Sequence, residues 1–270
     1  MFFFPLSDDN PILRPAFVVW LIIAVCTAVF LWQNALTVEA DAQASIALGM
    51  IPARVLGQAI LPRQLAFVPA WATLVTHMFL HGGWLHLIGN MWFLRIFGDN
   101  VEDVMGRAKF LAFYLIAGIV AAMTQAAIDP MSHLPMIGAS GAIAGVLGAY
   151  LVLYPRANVR VLMVLFLFIR IVNVPAILIL GAWIGLQLVS AAHAPADTGG
   201  VAIWAHVGGF LCGILLLPIL KGGEVPLFGE AKSRPFSMTG PRLFPSGRVP
   251  AVIPGRRPPR DDRRSNRGSW

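Results

Sequence analysis

Gly138-Ala139-Ser140-Gly141-Ala142-Ile143-Ala144-Gly145-Val146-Leu147-Gly148-Ala149-Tyr150-Leu151-Val152-Leu153-Tyr154 is apolar throughout, yet thin in side-chain volume. Glycines at 141, 145 and 148 leave a helix face with almost no side chain, which lets a second helix approach backbone to backbone. One hydroxyl, Ser140, stands at the head of this run. A second run, Ile203 to Leu220, is built alike: Ala205-His206-Val207-Gly208-Gly209 places an imidazole about four residues in, sharing a face with Gly209 and Gly213. Two glycine-faced apolar helices, one opening on a hydroxyl and the other carrying an imidazole, can pack closely enough for the two groups to hydrogen-bond. That is the arrangement a serine nucleophile requires.

Composition supplies the solvent in which these helices pack. Hydrophobic residues make up 57% of the 270 residues, charged residues 12%, and mean hydropathy is +0.74, outside the soluble globular range. A span needs about 20 mostly apolar residues. Six segments qualify: Pro15 to Trp32, Trp84 to Phe97 with an extension toward Val104, Phe110 to Ile128, Ser140 to Tyr154, Val174 to Ala192, and Ile203 to Leu220. The second and fourth are short and rich in small residues, so they rest on context as well as hydropathy. Val161 to Ile171 is apolar but interrupted by Arg170 and followed by Pro175; it reads as interfacial, with a seventh span as the competing reading. The first run lacks a clean small-residue cleavage site and reads as a retained helix, not a signal peptide.

Lys and Arg set the expected orientation. From Lys221 onward there are eleven of them against four acids, a surplus equal to the formal net charge of +7. With Arg107, Lys109, Arg156 and Arg160 beside the second-to-third and fourth-to-fifth connections, they place those loops and both termini in the cytoplasm. Residues 222–270, dense in Pro, Gly, Ser and Arg, read as a basic disordered tail; Arg256-Arg257-Pro258-Pro259-Arg260 reads as a solvated topogenic run with no specific nucleic-acid partner expected, contact with anionic lipid or nucleic acid being the competing reading. Residues 1–14 form a short cytoplasmic segment. Cys26 and Cys212 lie inside spans, far from metal or disulfide spacing. No HExxH motif or tight ligand set is present, so neither metal nor other cofactor is expected.

In this orientation spans two, four and six all begin at the outer face. His86 and Asn90, at i and i+4 near the start of the second, join Ser140 and His206 within about 5 to 10 Å of one depth at ~1.5 Å per residue. Each feature alone has an ordinary structural reading: serine and glycine are common helix contacts, and a His and Asn pair can simply bridge helices. Their convergence on three glycine-rich helices reads as a site. A transporter would continue its polar residues toward the inner leaflet, and this cluster stops at one.

These residues carry a resemblance. His81-Gly82-Gly83-Trp84-Leu85-His86-Leu87-Ile88-Gly89-Asn90-Met91, Gly98-Asp99-Asn100-Val101-Glu102, Gly138-Ala139-Ser140-Gly141, and Ala205-His206 with Gly209 and Gly213, in that order, resemble the rhomboid intramembrane serine proteases. The resemblance implies an all-α polytopic fold of six transmembrane helices over residues 15–221, with a large outer first loop, Gln33 to Gly83. It implies Ser140 as nucleophile and His206 as general base and then acid. His86, Asn90 and the Ser140 backbone N–H would form the oxyanion hole, with Gly138, Gly141, His81 and Gly209 in support and His77 a further polar neighbour. Substrates would be transmembrane proteins in the lipid bilayer, and the expected setting is a bacterial inner membrane. An inactive rhomboid-like protein that binds membrane clients is the alternative, and would be expected to have lost Ser140 or His206. Some relatives carry an aromatic residue four positions after the serine, against the imidazole. Here that position is Ala144, so other neighbours must orient His206. Asp129 or Asp197 could complete a triad, though a solvated loop acid is the simpler reading of each, and His193 to Val201 has the composition of a lid.

Overall fold

In a computed structural model, residues 2–165, 168–193, 202–230 and 232–239 are described. The chain is mostly helical. Strand β1 (Phe2–Asp8) leads into helix α1 (Phe17–Asn34); α2 (Val38–Leu48), α3 (Pro52–Val55) and α4 (Thr73–Thr76) follow, then α5 (Trp84–Met105), α6 (Arg107–Ile128) and α7 (Ser140–Leu153). A hairpin of β2 (Asn158–Leu165) and β3 (Phe168–Pro175) runs into α8 (Ala176–His193), and α9 (Ile203–Leu220) precedes a short β4 (Met238–Thr239). The six apolar segments thus appear as α1, α5, α6, α7, α8 and α9, with ends within a few residues of those expected, α5 taking the extension toward Val104 and ending at Met105. Among the described residues α1, α6 and α9 are long and apolar enough to cross a membrane, and a fourth span arises if Arg63–Phe79 and Trp84–Met105, bent by 82° at a short break, are one. The α7 and α8 segments are shorter apolar helices. The protein is therefore a multi-pass integral membrane protein.

Helix α7 is the centre. Every residue from Gly141 to Tyr150 is buried, as expected of a helix that is apolar on all sides. It lies against α5, α6 and α9, and the glycine face does what its composition predicts. A Cβ on Gly209 would overlap the Gly141 carbonyl oxygen, one on Gly213 would overlap that of Gly145, and one on Gly145 would come 2.6 Å from Ala117 Cβ on α6. Only glycine at these positions allows α7 and α9 to touch along their backbones.

The Gly98-to-Glu102 motif has a structural task. Glu102 is buried and accepts the first-turn N–H groups of α1, from Val18 at 2.9 Å and Val19 at 2.8 Å. A carboxylate at a helix amino terminus satisfies donors that have no partner within the helix and faces the positive end of the helix dipole. Asn100 Nδ2 donates to Asp8 at 2.9 Å, and Asp103 accepts the Leu13 N–H at 2.8 Å. The end of α5 therefore holds the amino-terminal segment. Gly106, at φ +79°, makes the sharp turn into α6 that a residue with a side chain would resist.

Two expectations need correction. The fold is not all-α: β1, β2, β3 and β4 form a four-stranded antiparallel sheet in that order, and the Val161 to Ile171 run is most of its central hairpin. Apolar residues on both faces hid the two-residue alternation of these strands from hydropathy. Pro5 is tolerated because β1 is an edge strand with an irregularity between Pro5 and Ser7. Nor does a disordered tail begin at Gly222. Phe228 N–H and Gly229 N–H donate to the Val152 and Leu153 carbonyls at 2.9 and 2.7 Å, capping the otherwise unpaired carboxyl end of α7. Asn158 and Asn173 donate to Ser233, and Ser233 donates to Asp9 at 2.6 Å. Residues 240–270, including the basic run, lie outside the described residues, as do Asp197 and most of the lid segment.

The first connection is folded. Thr37 caps α2 through the Ala40 N–H, with Glu39 and Asp41 in its first turn. Arg54 is buried and donates to the Ala47 and Val68 carbonyls. Met50 and Met136 pair in both directions at 3.0 and 2.8 Å, so this connection braces the chain just before Ser140.

Candidate active site

Ser140 is the first residue of α7 and His206 lies in the first turn of α9. His206 Nε2 and Ser140 Oγ are 2.8 Å apart. The close backbone contact of α7 with α9 sets this distance, since the two residues sit just above the Gly141 to Gly209 crossing. Both predicted reacting groups therefore meet in the described structure, partly buried, at the positive end of α7.

Gly138 precedes them at φ +124°, a conformation that strains any side-chain-bearing residue. Its N–H donates to the His77 carbonyl at 2.8 Å, and a Cβ there would lie 2.7 Å from His86 Nε2 and 3.7 Å from Asn90 Nδ2. The turn into Ser140 is thus pressed against the face of α5 that carries His86 and Asn90. His86 Nδ1 accepts the Gly82 N–H at 3.3 Å, which leaves the proton on Nε2, the nitrogen aimed at the turn. Asn90 Nδ2 is buried and has no acceptor among the described residues. His86 Nε2 and Asn90 Nδ2 on α5 thus face the Gly138 turn that leads into Ser140 at the amino terminus of α7.

The residues expected to support the site lie around Ser140 and His86. His81 is buried, its N–H donates to Gln33 at 2.9 Å, and its ring meets that of His86 edge-on at 5.2 Å. Gly141 faces Ala121, where a Cβ would lie 2.7 Å away, and Gly209 abuts Gly141. His77 is buried beneath the turn. Asp129 ends α6 and takes no part in a hydrogen bond to His206.

Two residues of the site were not foreseen. Gln187 Oε1 lies 3.0 Å from His206 Nδ1, and the Trp183 ring, one turn earlier on α8, lies 5.7 Å from the imidazole centroid. The signal was present: Gln187 is an isolated amide inside an apolar run, and intramembrane polar residues are functional candidates. Gln187 lies in the fifth segment, away from the starts of the second, fourth and sixth, and nothing in its local spacing ties it to His206.

Positions 69–222 match the family model of the Rhomboid domain. Among curated proteins, the chain is 29% identical over 163 residues to Rhomboid-like protein 11, chloroplastic, of Arabidopsis thaliana, covering 57% of this chain and 54% of that protein. It is 36% identical over 81 residues to Putative rhomboid protease YdcA (30% and 40% coverage) and 32% identical over 162 residues to Rhomboid protease GluP (59% and 28%), both of Bacillus subtilis. The matches span about half or less of each relative's length.

Proposed function

The chain belongs to the rhomboid family, and from that premise we propose that it is an intramembrane serine endopeptidase working through a Ser140–His206 dyad. The observation that carries the proposal is the 2.8 Å approach of His206 Nε2 to Ser140 Oγ beside a cluster of unspent donors. Serine is a weak nucleophile at its free pKa, and an imidazole at hydrogen-bond distance removes its proton as attack proceeds.

The steps follow from the geometry. Ser140 Oγ attacks the scissile carbonyl carbon while its proton passes to His206 Nε2, and the carbonyl π pair moves onto oxygen. His86 Nε2–H, Asn90 Nδ2–H and the Ser140 N–H stabilise that oxyanion. On collapse the C–N bond breaks, His206 protonates the leaving amine, and an acyl-enzyme remains on Ser140. Water, deprotonated by the same imidazole, then hydrolyses the ester. Each hydrogen-bond donor to the oxyanion is typically worth about 2.7–4 kcal/mol of transition-state stabilisation.

Substrates are proposed to be transmembrane proteins entering from the bilayer. A helix spanning lipid has every backbone group paired, so cutting requires local unwinding, and helix-weakening residues near the outer end of the substrate span favour cleavage. The full proposal has six spans within residues 15–221, both termini cytoplasmic, and a bacterial inner membrane as the setting.

The test is cleavage of a purified single-span substrate by the full chain in detergent. Cleavage near the outer boundary of the substrate span, abolished in Ser140→Ala, is the expected result. Equal cleavage by Ser140→Ala sinks the serine mechanism, and no cleavage of any substrate by the unaltered chain favours an inactive client-binding protein.

A further inference from the structure

A general base is useful only in one tautomer. For His206 to take the Ser140 proton, Nε2 must present its lone pair to Oγ, so Nδ1 must carry the hydrogen. The hydrogen bond at Nδ1 decides between the two forms, and the residue there is Gln187, whose Oε1 lies 3.0 Å away. A carbonyl oxygen can only accept, so this contact places the proton on Nδ1 and frees Nε2 for the 2.8 Å contact with Ser140.

We propose that α8 supplies the orienting group for His206, with Gln187 as the positioning residue that selects the base-competent tautomer and Trp183 as the wall that fixes the ring plane. The proposal rests on the dyad reading above. Trp183 and Gln187 are at i and i+4 and so share one face of α8. Opposite them on α9, His206 and Phe210 have the same spacing. Trp183 lies 5.7 Å from the His206 ring, tilted 41°, and 6.2 Å from Phe210, tilted 38°. These four side chains make a matched contact between the two helices, whereas the residue four positions after Ser140 on α7 is Ala144, fully buried and without a ring. The aromatic support absent from α7 is thus provided from α8.

Gln187 differs from the carboxylate of a serine-protease triad in being neutral. It orients the imidazole and fixes its proton without adding charge to a site surrounded by apolar helices, where an unpaired carboxylate would be costly. The amide therefore does the positioning part of the carboxylate's work, and its carbonyl dipole meets the imidazolium with no full counter-charge.

The test uses the full chain in detergent micelles, labelled with ¹⁵N at histidine, with the His206 signals assigned by their loss in His206→Asn. Unaltered protein is expected to show His206 protonated at Nδ1. Gln187→Leu is expected to lose that preference and to lower kcat about tenfold or more with KM little changed, the scale of one orienting hydrogen bond. Gln187→Glu, which keeps an acceptor, restores the Nδ1–H form and most of kcat. Gln187→Met repeats the test should the leucine variant fail to fold. An Nε2–H resting tautomer, an unchanged tautomer in a folded Leu or Met variant, or kcat within twofold of the unaltered chain overturns the proposal. The tautomer is read without substrate, so it judges Gln187 even if Ser140→Ala shows the dyad reading itself to be wrong.

Discussion

Adding one methyl group at Gly209 should disable the protein without touching a reacting atom. In Gly209→Ala the new Cβ would overlap the Gly141 carbonyl oxygen, lie 3.0 Å from the Gly141 carbonyl carbon and 3.4 Å from Ala121 Cβ. Ordinary carbon contacts begin at about 3.5 Å, and the obstacle is backbone, which no rotamer change relieves. Helices α7 and α9 must therefore move apart by roughly 1 Å at a crossing one turn below the dyad. The 2.8 Å bond between His206 and Ser140 lengthens beyond useful range. A misplacement of that size costs about 100-fold in rate, and overpacking a buried contact costs about 1–3 kcal/mol of stability. The assay is kcat on a single-span substrate in parallel with thermal melting in detergent. Gly185→Ala is the control, because a Cβ on that α8 residue meets nothing within 4 Å. A Gly209→Ala protein within threefold of normal kcat would refute the claim that backbone contact between α7 and α9 sets the dyad geometry.

Three further outcomes follow from other parts of the structure. Asn90→Ala removes one candidate oxyanion donor and should lower kcat about 100- to 1000-fold with little change in melting temperature; an effect on KM alone would assign Asn90 to substrate binding. Glu102→Ala leaves the Val18 and Val19 N–H groups without their acceptor, and, at about 1.5–3 kcal/mol for each charged hydrogen bond, should lower the melting temperature clearly, an effect that unchanged melting would disprove. Asp8 lies in the sheet, where burial pushes its carboxyl up to about 7, aided by the nearby Asp99 and Asp9 charges and opposed by hydrogen bonds from Tyr150 and Asn10. The folded chain then holds this proton where the unfolded chain releases it, so the stabilisation is complete below about pH 4 and is lost as pH rises through about 7. Asp8→Asn should flatten the fall of melting temperature between pH 5 and 8, and parallel profiles for the two proteins would contradict it.

What was legible in the sequence was whatever hydropathy and helical spacing encode. The positions of α1 and α6 to α9 followed from apolar run length, and the glycines at 141, 145, 209 and 213 announced the helix contact that brings Ser140 to His206. The sheet was not legible, because β2 and β3 are apolar on both faces and short enough to pass for an interfacial segment. β1 pairs with β2 across about 150 residues of chain, a partnership that no local pattern records. The ordered start of the tail was hidden for a related reason. Phe228 and Gly229 look unstructured alone, and gain a conformation only by pairing with the carboxyl end of α7. The motif at Gly98 to Glu102 was visible as a motif, but its task of holding the start of α1 needed coordinates. Ala144 has no ring to set against His206, and the contacts of Trp183 and Gln187 with that imidazole depend on packing between α8 and α9 that no local pattern records.

The account depends above all on Ser140 being a nucleophile activated by His206. The direct measurement is the mass and position of the adduct formed by a serine-directed fluorophosphonate on the intact chain in detergent. The account predicts one adduct, on Ser140, forming far more slowly in His206→Ala. An adduct on another residue, or labelling of Ser140 at an unchanged rate without His206, would contradict it.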